Sequence, residues 1–323
     1  MNEAQKALVR TESNLVEVST LSLISRIPEE EKWLQSLQSE QTRRAYKNDV
    51  AHFVRALNIG SWEELRLVEH GAVNTWRRMM KAQGAKPTTI RRRLSALSSL
   101  FRHLVNHRVV EINPVREVQR PRINRKSGKT RSFSQEQARA ILDAPTPETL
   151  IGLRDRAILA VGFQVGCRRA EIANLKVKSY HMNAGYHALE YLQKGGTENA
   201  LSIHPQVAQR IEEYMNAAGH RDDLEGPLFR PVRPNGRASS LRRFLNPDVI
   251  DKILRKYMKQ ALGITNGFSA HSMRATFITT ALKNGADIED VQQAVGHAQI
   301  STTKLYDKRG YNPERAASFF ANY

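Results

Sequence analysis

The stretch GHAQISTTKLYDKRGYN, residues 296–312, holds a histidine and two tyrosines but few large apolar residues. Most of the nine tyrosines in the chain should be packing groups. Tyr306, set after a Gly-His turn and a polar Ser-Thr-Thr run, reads either as a half-buried anchor or as a nucleophile. Other pieces of the same half share this polar character. VGCRRAEIANL places Arg168 and Arg169 directly after an apolar run, with Glu171 three residues beyond Arg168. HSMRATF sets His271 and Arg274 at i and i+3, on one face of a helix start. QKGGTEN carries Lys194, the only lysine between residues 179 and 251, and Gly296-His297 ends another helical pattern. Each alone has a structural reading: an arginine paired with Glu171, or a histidine satisfied inside the fold. Together, two arginines, a lysine, two histidines and a tyrosine suit attack on a phosphodiester.

That chemistry needs these types. Arginine binds nonbridging phosphate oxygens bidentately and stays charged, so two of them could neutralise a pentavalent transition state. The 5′-oxygen leaves poorly unless it is protonated, and a lysine on a turn, Lys194, could deliver the proton. Tyrosine, with a reference pKa of about 10, is a weak nucleophile until a base or a cationic pocket helps it. His271 could take the phenolic proton, and His297 could donate to the phosphate. No HExxH and no tight carboxylate cluster occurs, so metal-free phosphoryl transfer is expected, with no cofactor.

Periodicity shows which elements would hold these groups. In TRRAYKNDVAHFVRAL, Tyr46, Val50, Phe53, Val54 and Leu57 make one helical face, opened by Arg43, Arg44 and Lys47. In TTIRRRLSALSSLFRHLVNH, Ile90, Leu94, Leu97, Leu100, Phe101, Leu104 and Val105 form a similar stripe, with Thr88 as the expected N-cap. Arg91, Arg92 and Arg93 lie largely off that stripe beside small serines. They read either as a solvated face or as contacts to a phosphate backbone, mostly for positioning. Residues 113–131 are basic, Pro-containing and poor in apolar residues, which predicts an extended interdomain linker lying on DNA. Ser134 and Gln137, in capping-box spacing, restart a helix. The run 186–204 predicts a hairpin with Lys194 at its tip, within a small three-stranded sheet. The expected fold is mainly α with a small β-sheet: an extension over 1–30, a helical DNA-binding domain over 31–112, the linker, and a mixed α/β catalytic domain over 132–323.

Charge identifies the partner class. Residues 41–130 carry 20 Lys and Arg against 6 Asp and Glu, +14 of the chain's +18. This is the footprint of a polyanion-binding surface. The single cysteine, Cys167, allows no disulfide within the chain and no thiolate-rich zinc site. No apolar run approaches a membrane span, and the N-terminus lacks the order of a signal peptide. A cytoplasmic protein with no membrane partner is the expectation.

GCRRAEI resembles the G-[LCM]-R-x-x-E box of the tyrosine recombinases, the phage-integrase and Xer-type family. AHSMRATFITTALKNGADIEDVQQAVGHAQISTTKLY resembles that family's H-x-x-R…GH…Y box throughout, with steps of 23 residues from Arg274 to His297 and nine to Tyr306. Residues 31–125 resemble its helical core-binding domain. The resemblance implies Arg168 and Arg274 as phosphate clamps, Lys194 as general acid and His271 as proton-handling base. It makes His297 a phosphate ligand, Glu171 a supporting group and Tyr306 the nucleophile. It further implies cleavage of double-stranded DNA at inverted-repeat core sites through a 3′-phosphotyrosine. A homotetramer would act through a Holliday junction, with an accessory DNA-binding protein possible and a bacterial setting. Phe319, Phe320 and Tyr323 would form an exchange helix docking on the next protomer, or pack in cis. A type IB topoisomerase-like enzyme and an inactive DNA-binding regulator are the alternatives. Arg169 directly after Arg168, and Ala275 where many relatives carry histidine or arginine, depart from the pattern without removing a catalytic group.

Overall fold

The computed structural model describes residues 28–123, 130–193, 196–232 and 242–307. The chain divides into two compact units, Met1–Asn124 and Arg125–Tyr323. Residues 1–27, Lys194 and the group formed by Phe319, Phe320 and Tyr323 lie outside the described residues.

The first unit is helical: α1 (Glu29–Ser36), α2 (Glu40–Ala56), α3 (Trp62–Arg66), α4 (His70–Ala82) and α5 (Pro87–Asn106). Ser39 and Ser61 cap α2 and α3 by accepting from the backbone N–H of Thr42 and Glu64. At α5 the expected cap shifts: Lys86 is the N-cap and Pro87 the first helical residue, so Thr88 lies inside the first turn. Proline's fixed φ and missing N–H suit that position, where the N–H would be unpaired anyway. The stripe read along α5 is the core, with Leu94, Leu97, Leu100, Phe101 and Leu104 fully buried. Each such side chain stabilises by about 1.5–3 kcal/mol. Phe53 of α2 meets Trp76 of α4 edge-on at 4.9 Å.

In the second unit α6 (Gln135–Asp143) begins with the Ser134/Gln137 capping box. Apolar α7 (Leu150–Ala160) runs on into a π-turn, Val161–Val165, and α8 (Arg169–Ala173) follows. Strands β1 (Tyr180–Asn183), β2 (Tyr186–Leu192) and β3 (Glu198–Ser202) form an antiparallel sheet in the order β1-β2-β3. Ala184 and Gly185, both with positive φ, join β1 to β2 through a two-residue turn of the type that suits strand twist. Then come α9 (Pro205–Ala218), α10 (Pro247–Leu262), α11 (Ala270–Lys283), α12 (Ile288–Val295) and α13 (Ile300–Lys304). The architecture is mainly helical with a small sheet, as expected. One core gathers α7, α9 and α10, with Leu189, Ile211 and Leu254 among its fully buried residues. A smaller cluster holds α11 to α13 together around Ala275, Ile278, Val291 and Val295, and Tyr306 belongs to it.

Candidate active site

The π-turn after α7 sets the entry to the site. Its extra residue per turn closes the Gly166 N–H onto the Val161 carbonyl. Gly166 has φ of 75° and lies against the Phe277 ring, so a side chain there would be strained and would clash. The chain then turns through Cys167 to Arg168, the N-cap of α8. The Glu171 carboxylate accepts from the Arg168 backbone N–H at 2.6 Å and from its Nη1 at 2.7 Å. This fork orients the guanidinium while leaving it half exposed. Arg168 Nη2 reaches the Gly296 carbonyl at 3.4 Å. Arg169 turns elsewhere, onto Asp248 and Asp251 of α10 at 2.9 and 2.6 Å, so the doubled arginine serves packing of α8. Burial pushes the Cys167 thiol up to about 12, which keeps it protonated and unreactive.

Arg274 and His271 project from the first turns of α11. Arg274 is 1 % exposed. Its Nη1 donates to the Gly166 carbonyl at 2.7 Å and its Nη2 to the Val295 carbonyl. Its Nε is buried without a partner. Burial, then Arg168, draws this guanidinium down to about 10, still charged at neutral pH. The arginines thus cap consecutive carbonyls, 295 and 296, at the C-terminal end of α12, where free carbonyls carry partial negative charge.

Gly296 ends α12 with φ of 58° and directs the chain into His297. His297 Nδ1 lies 3.0 Å from Thr303 Oγ1, and its ring stacks on Tyr306 at 6.0 Å. Burial first, then Arg274, Arg168 and His271, brings His297 down to about 4. The Tyr306 hydroxyl is 3.0 Å from His271 Nε2, and Thr279 Oγ1 donates to the Tyr306 carbonyl at 3.3 Å. Burial, reinforced by Arg274 and Arg168, holds His271 below the ordinary histidine range. A neutral His271 can accept from the phenol and take its proton. Tyr306 is thus buried, 8 % exposed, with its hydroxyl against His271.

Lys194 lies outside the described residues, but the strands flanking it are fixed. The Gln193 N–H donates to Thr197 O at 2.8 Å, and Tyr191 of β2 donates to the Ala294 carbonyl at 3.1 Å. Asn199 of β3 donates to both that carbonyl and the Tyr191 hydroxyl at 3.0 Å. The hairpin is thereby moored to the end of α12, one carbonyl before those held by the arginines. Tyr191, Asn199 and Thr303 were not singled out from the sequence. A threonine just ahead of the tyrosine was the only signal.

The candidate DNA-binding cations fall into two groups. Arg44 and Lys47 are exposed and Arg43 is half-buried, and none of the three side chains has a hydrogen-bond or ion-pair partner among the described residues. The triplet on α5 is engaged inside its unit. Arg92 pairs with buried Asp49, Arg93 Nη1 lies 2.9 Å from His52 Nε2, and Arg91 donates to Pro121 O at 3.2 Å. Trp76 completes the network by donating to His52 Nδ1 at 3.1 Å. Arg92 keeps 48 % of its side chain exposed. Among the described residues, Glu29, His103 and His107 are the group close enough to hold a metal ion. They lie in the first unit, where Glu29 is already paired with Lys32 at 2.7 Å and His103 at 3.0 Å. No helix of the described residues is long and apolar enough to cross a membrane.

Comparison with known proteins matches residues 131–312 to the phage integrase family, and residues 31–108 to the phage integrase N-terminal SAM-like domain. Tyrosine recombinase XerD of Pseudomonas putida is 29% identical over 279 residues, 85% of this chain and 88% of the relative. Tyrosine recombinase XerD of Listeria monocytogenes is 25% identical over 273 residues, covering 83% and 88%. A lambda integrase dimer bound to a COC′ core site superposes with a TM-score of 0.64 at 15% identity, covering 87% of this chain and 94% of that one. A lambda integrase tetramer bound to a Holliday junction gives 0.64 at 14%, covering 92% and 79%. At such identities the structures establish the shared fold.

Proposed function

The chain belongs to the phage integrase family, enzymes that cut and rejoin DNA strands, and on that premise we propose that it performs site-specific recombination with Tyr306 as nucleophile. The observation that carries this reading is the 3.0 Å contact between the Tyr306 hydroxyl and His271 Nε2, beside two arginines. His271 takes the phenolic proton as the oxygen attacks the scissile phosphorus. Arg168 and Arg274 bind the nonbridging oxygens, where their charge counts most as the phosphorane forms. The unpartnered Arg274 Nε supports this role, since a buried donor without an acceptor is costly until a ligand supplies one. His297 adds a neutral donor, and Glu171 holds Arg168 in place. Lys194 protonates the departing 5′-oxygen, leaving a 3′-phosphotyrosine. A 5′-hydroxyl of the partner strand then reverses the steps, so the number of phosphodiester bonds is conserved.

The same reading assigns residues 31–112 to DNA binding, 113–131 to a DNA-lying linker and 132–323 to catalysis. Of the candidate cations, Arg43, Arg44 and Lys47 are those whose side chains have no partner among the described residues and so can meet phosphates. The partner is double-stranded DNA bearing inverted repeats. The working assembly is a homotetramer passing through a Holliday junction, as the lambda integrase tetramer that shares the fold is bound to one. The setting is the bacterial cytoplasm. Sequencing DNA bound by the protein across its own genetic neighbourhood should return an inverted repeat. Two plasmids carrying that repeat should recombine in the presence of the protein. Relaxation of supercoils without exchange would favour a topoisomerase, and binding without any cleavage would favour a regulator.

A further inference from the structure

His297 is a neutral imidazole in a pocket shared with two arginines, so it carries one N–H, and which nitrogen bears it decides what the ring can do. Its Nδ1 lies 3.0 Å from Thr303 Oγ1. Thr303 is 0 % exposed, the fourth residue of α13, six residues after His297 and three before Tyr306. Among the described residues the Thr303 hydroxyl has no other hydrogen-bond partner. Two arrangements satisfy the contact. If His297 Nδ1–H donated to the hydroxyl oxygen, the hydroxyl proton would be buried with no acceptor, a cost of about 1–3 kcal/mol. If the hydroxyl donates to an unprotonated Nδ1, every group in the pair is satisfied and the imidazole proton sits on Nε2. That nitrogen has no protein partner among the described residues.

We propose that Thr303 is a positioning residue that fixes His297 as the Nε2–H tautomer, so that the ring presents a donor to the scissile phosphate. This rests on the reading of His297 as a phosphate ligand. Because α13 also carries the chain to Tyr306, one short helix braces both the donor and the nucleophile, whose rings stack at 6.0 Å. Asp or Asn in this role would accept rather than donate, or could flip. A buried hydroxyl with one partner cannot accept from Nδ1 without stranding its own proton.

The full-length protein labelled with 15N-histidine tests this directly by long-range nitrogen–proton correlation at neutral pH, with the His297 signals assigned by their loss in His297→Ala. The expected spectrum has a pyridine-type Nδ1 and a pyrrole-type Nε2 in the wild type and in Thr303→Ser, which keeps the hydroxyl. Thr303→Val, which keeps the shape and loses the donor, should mix or reverse the two. In single-turnover cleavage, Thr303→Val should slow adduct formation by roughly 10-fold, below the ~10²–10³-fold expected for losing one transition-state donor altogether. Thr303→Ser should recover near wild-type rates, and Thr303→Val should add nothing in a His297→Ala background. A protonated Nδ1 in the wild type would overturn the proposal, as would a Thr303→Val defect that persists without His297. Unimpaired cleavage by His297→Ala would instead overturn the phosphate-ligand reading, with the tautomer still read separately by the spectrum.

Discussion

At the residue scale, burial, reinforced by the neighbouring arginines, decides protonation. The two site histidines are held neutral by burial and by Arg274 and Arg168, so the base is ready at neutral pH. Both have folded pKa values below the unfolded value near 6.5. Such groups bind more protons when unfolded, so their contribution to stability is complete above pH 6.5. For His297 it drains away as pH falls from about 6.5 to about 4. Thermal melts across this window should show stability declining with acid in the wild type and a shallower decline in His297→Ala. Equal slopes would mean that the histidine is not held neutral. Lys194→Ala gives a second prediction, since a missing general acid slows cleavage by ~10²–10⁴-fold. A substrate with a 5′-bridging sulfur, whose leaving group needs no proton, should escape most of that loss. An equal defect on both substrates would make Lys194 a DNA-positioning group.

At the element scale, the end of α12 acts as the frame of the site. Three consecutive carbonyls, at Ala294, Val295 and Gly296, are taken by the hairpin, by Arg274 and by Arg168. A different device operates in the first unit, where Arg92 and Arg93 surround Asp49, which is 3 % exposed. Burial raises the Asp49 pKa, and the arginines oppose that rise. Replacing both arginines with alanine should destabilise this unit by about 1–3 kcal/mol, the penalty of a stranded buried acceptor. A carboxyl with a raised folded pKa is destabilising once ionised, so chemical denaturation should find the deficit shrinking as pH falls toward the carboxyl range. A deficit independent of pH would point to lost packing instead. The α5 stripe, the capping box at Ser134 and the hairpin were legible because each depends on neighbours a few residues away. The partners of the arginine triplet, Asp49 and His52, were not legible because they lie some forty residues earlier on another helix. Thr303 was passed over for a similar reason, since its burial depends on how α13 folds back on α11 and α12. Pro87 displaced Thr88 from the cap because its own φ preference outweighed the hydroxyl.

At the scale of the whole molecule, the concentration of positive charge in residues 41–130 should govern affinity for DNA. Of the candidate cations, Arg43, Arg44 and Lys47, with no side-chain partner among the described residues, are the ones expected to release counterions. Replacing all three should flatten the slope of log K against log salt by up to about 2.7, at about 0.9 per phosphate contact. Replacing Arg91, Arg92 and Arg93 should flatten it less, because those guanidiniums serve the fold. The reverse ranking, measured by binding titrations from low to high salt, would exchange the two roles. The central claim, that the chain breaks DNA through Tyr306, is tested most directly by trapping the covalent complex on a nicked suicide substrate and mapping it. Tryptic cleavage after Lys304, Lys308, Arg309 and Arg315 puts Tyr306 and Tyr311 on separate peptides, LYDK and GYNPER. Mass spectrometry should find the nucleotide on LYDK, with no adduct in Tyr306→Phe, which keeps the ring on His297 but lacks the hydroxyl. A nucleotide on GYNPER, or an adduct that survives Tyr306→Phe, would contradict the account.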